Sequence, residues 1–325
     1  MPSVRPFRFS VQAFHATSLG EWTDTARQAE DLGYATLFTT DHYFGPGTIS
    51  EQSGHRPVDV APIAASMAAA AVTTTLRVGC RVFCVDYHHP VVLAKELATL
   101  DMLSGGRLEV GVGAGWVALE YEGLGIPMDR PGVRIERVKQ VVEVMKQHWG
   151  GEDLDIEMSL VHASGFAGRP LPVQKPHPPI LIGGGSPKIL RLAGAAADIV
   201  SINFNNAAGK LGASSVASSA AEATAQKLGW IREGAGTRFD EIELEIGAYF
   251  ISIQENYAAA ADAMAERFGI PTQDLLDHPH ALIGTVDAVC ERLEHLRELF
   301  GISYINVAQR NMAEFAPVVA RLAGG

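Results

Sequence analysis

The sequence predicts a single-domain (β/α)8 barrel over residues 1–325, on three observations. Strand-like and helix-like segments alternate along the chain, with eight strand candidates and about as many helices. The 325-residue length is one that such barrels reach as a single domain. The composition, 47% hydrophobic but only 7% aromatic, suits alanine-rich helices packed on a parallel sheet. An open doubly wound sheet is the alternative, but the strand number and the unbroken alternation favour closure.

The elements follow one another in a regular order. Strands are predicted at residues 7–14, 34–39, 76–85, 107–112, 180–182, 198–202, 242–253 and 303–307. Ser18 and Glu21 form a capping box that begins the first helix, and Gly33 ends it. A helix containing Leu97 ends at Gly105, and Asn311 caps the last one. Apolar residues three and four apart predict further helices at residues 58–72, 131–149, 219–233 and 285–300.

The sequence also predicts where two segments lie relative to the barrel. The helix at 131–149 is amphipathic, so Arg134 and Lys139 are predicted on its outer, solvent-facing side. The stretch 205–236 is rich in Ala, Ser and Gly and is interpreted as a mobile lid over the mouth of the barrel.

Charge and cysteine content narrow the possible partners and location. The formal net charge is −11 and no Lys/Arg run occurs, which argues against nucleic acid and anionic membranes and favours small molecules or other subunits. Cys80, Cys84 and Cys290 form no CxxC motif, so we expect reduced thiols. The most apolar segment, 60–72, is shorter than the ~20 residues that span a bilayer. A soluble, cytoplasmic protein is therefore expected.

Residues that follow the strands of a barrel converge on one mouth. We expect the following to face it: His15, Asp41 and His42, residues 84–86, residues 113–116, residues 183–186 and residues 203–205. Asp41 and His42 pair a hydrogen-bond acceptor with an imidazole that can exchange a proton near neutral pH. The predicted site is built from these positions.

The run Gly183-Gly184-Gly185-Ser186-Pro187 predicts a phosphate site. Glycines leave backbone N–H groups accessible, Ser186 can cap a helix, and Pro187 suits its first position. The alternative is a tight turn with an ordinary cap. The run 111–115 has GxGxG rather than GxGxxG spacing and opens no long helix, so it is not interpreted as a dinucleotide fingerprint. Its glycines either admit a flat ligand, which Trp116 would cover, or relieve crowding at the mouth.

A metal site is not predicted. His88 and His89 are adjacent, so their side chains point apart on an extended chain, and no third ligand has suitable spacing. Cys80 and Cys84 are roughly 13 Å apart along a strand at ~3.3 Å per residue, too far to chelate or to bridge. The two cysteines are interpreted as packing residues.

With these residues assembled, the chain resembles the luciferase-like monooxygenase family, in particular its coenzyme F420-dependent oxidoreductase branch. The resemblance rests on DHYFGPG at 41–47, HPVVLAKELATLDMLSGGRLEVGVGAGW at 89–116, EYEGLGIP at 120–127 and HPPILIGGGSPKILRLAGAAAD at 177–198. It implies a barrel with the cofactor ring across the mouth and its phosphate at the helix after Ser186. It also implies a homodimer, because the family commonly forms dimers.

Carried over to this chain, the resemblance implies that His42 is the catalytic proton donor or acceptor. The cofactor-binding residues expected are Asp41, Cys80, Arg81, Gly113, Gly115, Trp116, Gly183, Gly184, Gly185 and Ser186. A non-prolyl cis peptide beneath the ring would fall at Cys80–Arg81, where Arg81 departs from the small residue of many members. The implied reaction is hydride transfer between F420 and a small organic substrate.

Three other functions remain open at this level. An FMN-dependent monooxygenase has the same fold and takes reduced flavin from a partner reductase. A metal-assisted hydrolase would use His15, His42, His88 and Asp86. A cofactor-binding protein without catalysis is the third. The substrate is not readable, because its contacts are expected in the loops at 43–57 and 154–172 and in the predicted lid.

Overall fold

Eight parallel strands close into a barrel in the computed structural model, which describes residues 5–206, 209 and 212–324. The strands of this described part are β1 (Arg8–Gln12), β2 (Thr36–Thr39), β3 (Arg77–Cys84), β4 (Leu108–Gly113), β5 (Asp153–Glu157), β6 (His162–Ala167), β7 (Ile180–Gly184), β8 (Ile199–Ile202), β9 (Glu243–Ala248), β10 (Phe250–Ile253), β11 (Ala281–Gly284) and β12 (Ile302–Ala308). The order around the barrel is β1-β12-β9-β8-β7-β4-β3-β2. The (β/α)8 prediction is confirmed, and β1 lies directly across the barrel from β7.

Helices surround the barrel and carry the segments between strands. They are α1 (Leu19–Asp31), α2 (Thr48–Ser53), α3 (Pro62–Ala71), α4 (Pro90–Leu103), α5 (Ala118–Leu124), α6 (Pro131–Gly150), α7 (Pro187–Ala196), α8 (Ala213–Ala217), α9 (Ala221–Ala235), α10 (Ala258–Phe268), α11 (Thr272–Leu276), α12 (Val286–Phe300) and α13 (Met312–Leu322). The predicted capping of α1 is confirmed, because Ser18 Oγ accepts from the Glu21 amide. No helix in the described ranges is both long and apolar enough to cross a membrane.

The predicted seventh strand, 242–253, is two strands. β9 enters the barrel, whereas β10 pairs with β11 outside it. The chain leaves the barrel at Tyr249, because the amides of Tyr249 and Phe250 both donate to the His280 carbonyl, at 3.0 and 3.2 Å. Alternating hydrophobicity runs through both strands, so the sequence pattern alone does not reveal this change of partner.

Two inserted segments also differ from the sequence-based expectations. The connection at 150–179 contains the antiparallel hairpin of β5 and β6. Within the predicted lid, α9 is an outer helix of the barrel that packs closely on α7. A Cβ at Gly194 would lie 2.2 Å from the Ile231 carbonyl oxygen, and one at Gly234 would lie 2.0 Å from that of Arg191. Only the part before α9 reaches the mouth, and residues 207, 208, 210 and 211 lie outside the described residues.

Charged side chains fill the amino-terminal end of the barrel. Glu109 is fully buried and pairs with Arg8, while Arg77 Nε lies 2.8 Å from Glu109 Oε1. The Tyr304 hydroxyl donates to Glu109 Oε2 at 3.0 Å, and Arg8 also pairs with Glu243 at 2.7 Å. Because each of these buried charges has partners of the opposite sign, the floor of the barrel is polar without isolated charges.

Candidate active site

A cavity of about 940 Å³ opens at the carboxyl-terminal end of the barrel. All eight barrel strands contribute to its lining, either directly or through the loop that follows the strand. The volume lies within the range of cofactor and small-molecule sites, which is about 300 to 1,000 Å³. The cavity is therefore large enough for a flat cofactor or for a substrate of comparable size.

The structure brings nearly all of the predicted site residues together around this cavity. The residues that line it are Asp41, His42, Arg81, Gly113, Gly115, Trp116, Gly183, Gly184, Gly185 and Ser186. Cys80 is not among the described lining residues. It is fully buried in the core, and burial raises the pKa of its thiol well above the ordinary value. Cys84 and Cys290 are buried as well, and the burial of Cys80 and Cys84 agrees with their interpretation as packing residues.

His42 is held by a carboxylate that sequence reasoning missed. Its Nδ1 lies 2.6 Å from Oε2 of Glu120, which is 1% exposed. The same carboxylate accepts from the Tyr43 amide at 2.7 Å and from the Tyr87 hydroxyl at 3.1 Å. Since Nδ1 is bonded to the carboxylate, Nε2 is the nitrogen that can exchange a proton with a ligand. Glu120 lies on the short helix α5, and its sequence signal was the EY pair that follows GAGW.

Asp41 offers a buried acceptor to the cavity. Its Oδ2 accepts from the Cys84 amide at 2.9 Å and lies 2.8 Å from His88 Nε2. Its Oδ1 is buried and has no hydrogen-bond partner within bonding distance among the described residues. Burial, followed by the charge of Asp41, raises the pKa of Tyr43 nearby. A buried carboxylate oxygen without a donor is costly, so Oδ1 is suited to accept an N–H or O–H from a ligand.

An aromatic group adjoins His42. The His55 ring centroid lies 4.4 Å from that of His42 and 6.2 Å from that of Trp116, and Trp116 meets His42 edge-on at 6.1 Å. His55 Nδ1 lies 2.7 Å from the Arg56 carbonyl oxygen. Burial and then the charge of His42 lower the pKa of His55 to about 3, so this ring stays neutral. His15 instead pairs with Asp59 at 3.3 Å, apart from the described cavity lining.

Two glycines in the cavity wall meet a geometric requirement. Gly115 has φ of +65°, and a Cβ there would lie 2.1 Å from the Tyr121 hydroxyl oxygen. Gly185 does not have a positive φ, but a Cβ there would lie 2.4 Å from the carbonyl oxygen of Phe204. The first position requires the conformational freedom of glycine, whereas the second requires its small size.

The run from Gly183 to Ser186 leads from β7 into α7 and forms one side of the cavity. Ser186 is the N-cap residue with extended backbone, but its side chain makes no capping hydrogen bond, and Pro187 occupies the first turn. The first amides of α7 are therefore available to an anion, in line with the phosphate prediction. Lys188 does not reinforce this site directly, since its Nζ donates to the Gly132 carbonyl at 3.0 Å.

The prediction that Arg134 lies on the outer face of its helix is wrong. Arg134 is 8% exposed and lines the cavity. Its Nη1 donates to the carbonyls of Ala114 and Gly115, at 2.7 and 2.6 Å. The side chain turns inward because the carbonyls after β4 lack strand partners and the guanidinium supplies the donors. It thereby fixes the loop that carries Trp116.

Arg81 lies beneath the cavity in a buried ion pair. Its Nε donates to Glu245 Oε1 at 2.9 Å, and its Nη2 donates to Ser201 Oγ and Asn203 Oδ1 at 3.1 and 3.0 Å. Glu245 is fully buried, and burial raises the pKa of its carboxyl while the Arg81 charge opposes that rise. The non-prolyl cis peptide joins Arg81 to Val82, so the expected Cys80–Arg81 position is wrong by one residue.

The residues proposed for a metal-assisted hydrolase do not gather into one set. His88 bonds to Asp41, Asp86 pairs with Arg137 and accepts from Tyr121, and His15 pairs with Asp59. Within the described residues, no group of three or more His, Cys, Asp or Glu side chains could hold a metal ion. The donor geometry therefore does not favour the hydrolase alternative.

Comparison with known proteins agrees with the fold. The family model for luciferase-like monooxygenases matches residues 3–268, and the chain belongs to this family. The solved structure of the coenzyme F420-dependent tetrahydromethanopterin reductase from Methanopyrus kandleri superposes with a TM-score of 0.76. The two sequences are 20% identical, and the superposition covers 98% of this chain and 100% of the reductase chain. At this identity, the likeness shows the fold.

Curated relatives include users of both deazaflavin and flavin. An F420-dependent glucose-6-phosphate dehydrogenase from Microbacterium testaceum is 30% identical over 59% of this chain and 55% of its own length. An FMNH2-dependent dimethylsulfone monooxygenase from Pseudomonas putida is 30% identical over 37% of this chain and 33% of its own length. The chain spans 64% of a protein from Mycobacterium bovis with 34% identity, so these matches cover parts of the relatives.

Proposed function

We propose that the protein is an F420-dependent oxidoreductase that transfers a hydride between the deazaflavin and a small organic substrate. The observation that carries this proposal is the His42–Glu120 pair in the wall of a cavity that also contains the start of α7. An imidazole oriented by a buried carboxylate is suited to give or take the proton that accompanies hydride transfer. A small-molecule substrate and a homodimer belong to the same proposal.

The residues present fit such a cofactor. Asp41 Oδ1 is a buried acceptor without a partner, which suits a ring N–H. The cavity of about 940 Å³ has room for a flat ring, and the first amides of α7 suit a phosphate. When bound, F420 supplies a carbon centre that accepts or donates a hydride.

This chain's own side chains would orient the reactants and move the proton. Glu120 fixes the tautomer of His42, so that Nε2 is directed to proton exchange. Arg134 holds the loop of Trp116, which would cover one side of the ligand. The neutral His55 and the surrounding rings limit the access of water to His42.

Spectroscopic titration with F420 and with FMN tests the cofactor assignment. We expect micromolar or tighter binding of F420 and at least about tenfold weaker binding of FMN. The relative that uses reduced FMN makes the flavin monooxygenase the alternative, which would also require a reductase as partner. Tight FMN binding with negligible F420 affinity would overturn the proposal in favour of that alternative.

His42→Ala tests the proton-transfer role. With a panel of small alcohols, aldehydes and enones, we expect turnover to fall about 10²-fold or more while F420 affinity stays nearly unchanged. His15→Ala is the matched control, because His15 is a histidine after the neighbouring strand β1 but lies outside the described lining. Equal losses of affinity and turnover in His42→Ala would make His42 a binding residue instead.

A further inference from the structure

Three arginines line the cavity on a side that the proposed mechanism does not use. Arg56 lies between α2 and α3, Arg267 lies on α10, and Arg310 follows β12. All three are exposed to solvent, and none has an ion pair or hydrogen bond to a carboxylate in the described part of the chain. Three separate segments thus bring cationic groups to one wall of a single cavity.

The cations lie close enough to act on one another. Partial desolvation of the guanidinium, followed by the positive charges of Arg56 and Arg267, lowers the pKa of Arg310. Both of the charged groups that act on Arg310 are therefore positive, as Arg310 itself is. The chain carries a net charge of −11, so carboxylates are plentiful, yet none in the described part of the chain forms an ion pair with these three arginines. Like charges gathered without a counter-ion are destabilising, and an anionic ligand would relieve that repulsion.

The arginine cluster lies opposite the glycine run at the start of α7. Arg56 and Arg310 follow β2 and β12, the two neighbours of β1 in the barrel, and Arg267 follows β9 and β10, on the side of β12. β1 lies across the barrel from β7, which leads into α7. A single cavity thus has an anion-suited helix start at one side and three guanidinium groups at the other.

Apolar side chains adjoin the arginine cluster. Phe250 and Ile251 of β10, with Met264 and Phe268 of α10, line the same cavity, and Phe268 directly follows Arg267 in the chain. Phe250 and Phe268 meet edge-on at 5.1 Å, and the Arg267 guanidinium lies 5.6 Å from the Phe268 ring centroid. A ligand that fits this wall combines an apolar body with a terminal negative charge.

We propose that Arg56, Arg267 and Arg310 bind the oxyanion of an amphipathic substrate, a carboxylate or a phosphate ester with an apolar body. The assignment of this ligand as the substrate rests on the function proposed above. Guanidinium groups suit carboxylate and phosphate because they donate in a planar, bidentate geometry. The substrate carbon that accepts or donates the hydride would then lie between the three arginines and His42.

Calorimetric titration tests this subsite with octanoate, octyl phosphate and 1-octanol as probes. For the wild-type protein we expect at least one of the two anions to bind about tenfold or more tightly than the alcohol, with the preference reduced in high salt. The two anions distinguish a carboxylate from a phosphate ligand. Equal affinity for all three probes would overturn the proposal.

Substitution of the arginines tests whether these side chains bind the anion. Arg56→Gln, Arg267→Gln and Arg310→Gln are each expected to lower anion affinity about fivefold or more, and the triple variant to abolish the preference over 1-octanol. Arg27→Gln on α1 is the matched control, since Arg27 is an exposed arginine remote from the cavity lining. An unchanged preference in the triple variant would overturn the proposal.

Titration of the triple variant with F420 and with FMN tests whether the arginines bind the substrate or an acidic portion of the cofactor. We expect cofactor affinity within about twofold of the wild type, because the cofactor phosphate is assigned to the opposite side. A large loss of cofactor affinity with unchanged probe binding would overturn the proposal. The probe titrations measure binding without turnover. They therefore test the anion site of the three arginines even if F420 is not the cofactor.

Discussion

His42 Nδ1 and Glu120 Oε2 lie 2.6 Å apart, although 78 positions separate the two residues in the chain. The carboxylate also bonds to the Tyr43 amide and the Tyr87 hydroxyl. A single buried side chain of α5 therefore joins the loops that follow β2 and β3. The orientation of His42 depends on this carboxylate as much as on its own strand.

Glu120→Gln is expected to reduce kcat about 10²-fold with little change in cofactor affinity. The amide retains an acceptor oxygen but no longer supplies the negative charge that stabilises a protonated His42. Steady-state kinetics and cofactor titration measure the two effects separately. Glu122→Gln is the control, because Glu122 is an exposed glutamate on the same helix. A loss of affinity as large as the loss of kcat would contradict the positioning role.

Gly185→Ala is expected to destabilise the protein by about 2 kcal/mol or more and to weaken cofactor binding. The new Cβ would meet the Phe204 carbonyl oxygen at 2.4 Å, and this backbone cannot move without disturbing the loop after β8. Gly183→Ala is the comparison, because its nearest atom is the Asn203 side-chain amide at 3.2 Å. Denaturant unfolding of both variants is the measurement. Equal destabilisation would contradict the close-packing argument.

The ion pair of Arg81 and Glu245 is expected to be strongly coupled. Each single variant, Arg81→Met or Glu245→Gln, leaves a buried group without its partner and should cost about 3 to 5 kcal/mol of unfolding free energy. The double variant should cost clearly less than the sum of the two. A double-mutant cycle in denaturant unfolding tests this, and additive losses would show that the pair is not coupled.

The protein is expected to lose stability as the pH falls below about 6.5, in part through His55. The folded-state pKa of His55 is about 3, whereas its ordinary value is 6.5. Between these values the unfolded chain binds a proton that the folded protein does not, so acidification favours unfolding.

Thermal unfolding at a series of pH values tests this titration. His55→Gln should show a shallower loss of melting temperature between pH 6.5 and 4 than the wild type. His295→Gln is the matched control, because His295 is exposed on α12. Parallel curves for His55→Gln and the wild type would contradict the assignment.

The barrel and much of its mouth could be predicted because both follow from local patterns. Alternating strands and helices define the fold, and the residues after each strand define the mouth, which is how Asp41, His42 and the run 183–186 were found. Phosphate binding and proton transfer at these residues stay predictions. Tyr249 shows the limit, since the chain there changes its pairing partner through contacts with His280 that alternation does not encode.

The missed residues share a physical cause. Glu120 and Arg134 are charged residues on helices, and helical periodicity assigns such residues to the solvent face. Both are nevertheless buried, because each satisfies groups on a neighbouring loop: Glu120 serves His42, and Arg134 serves the carbonyls after β4. Inward-facing charges of this kind depend on contacts between distant segments, which one sequence does not reveal.

The charged floor of the barrel bears on how ligands come and go. Arg8, Glu109 and Tyr304 occupy its amino-terminal end, so a ligand reaches the cavity from the carboxyl-terminal side. Two ligands that share the cavity must then enter and leave through the same opening. A substitution at the rim of this opening is thus expected to change the exchange of both ligands, whatever the chemistry within the cavity.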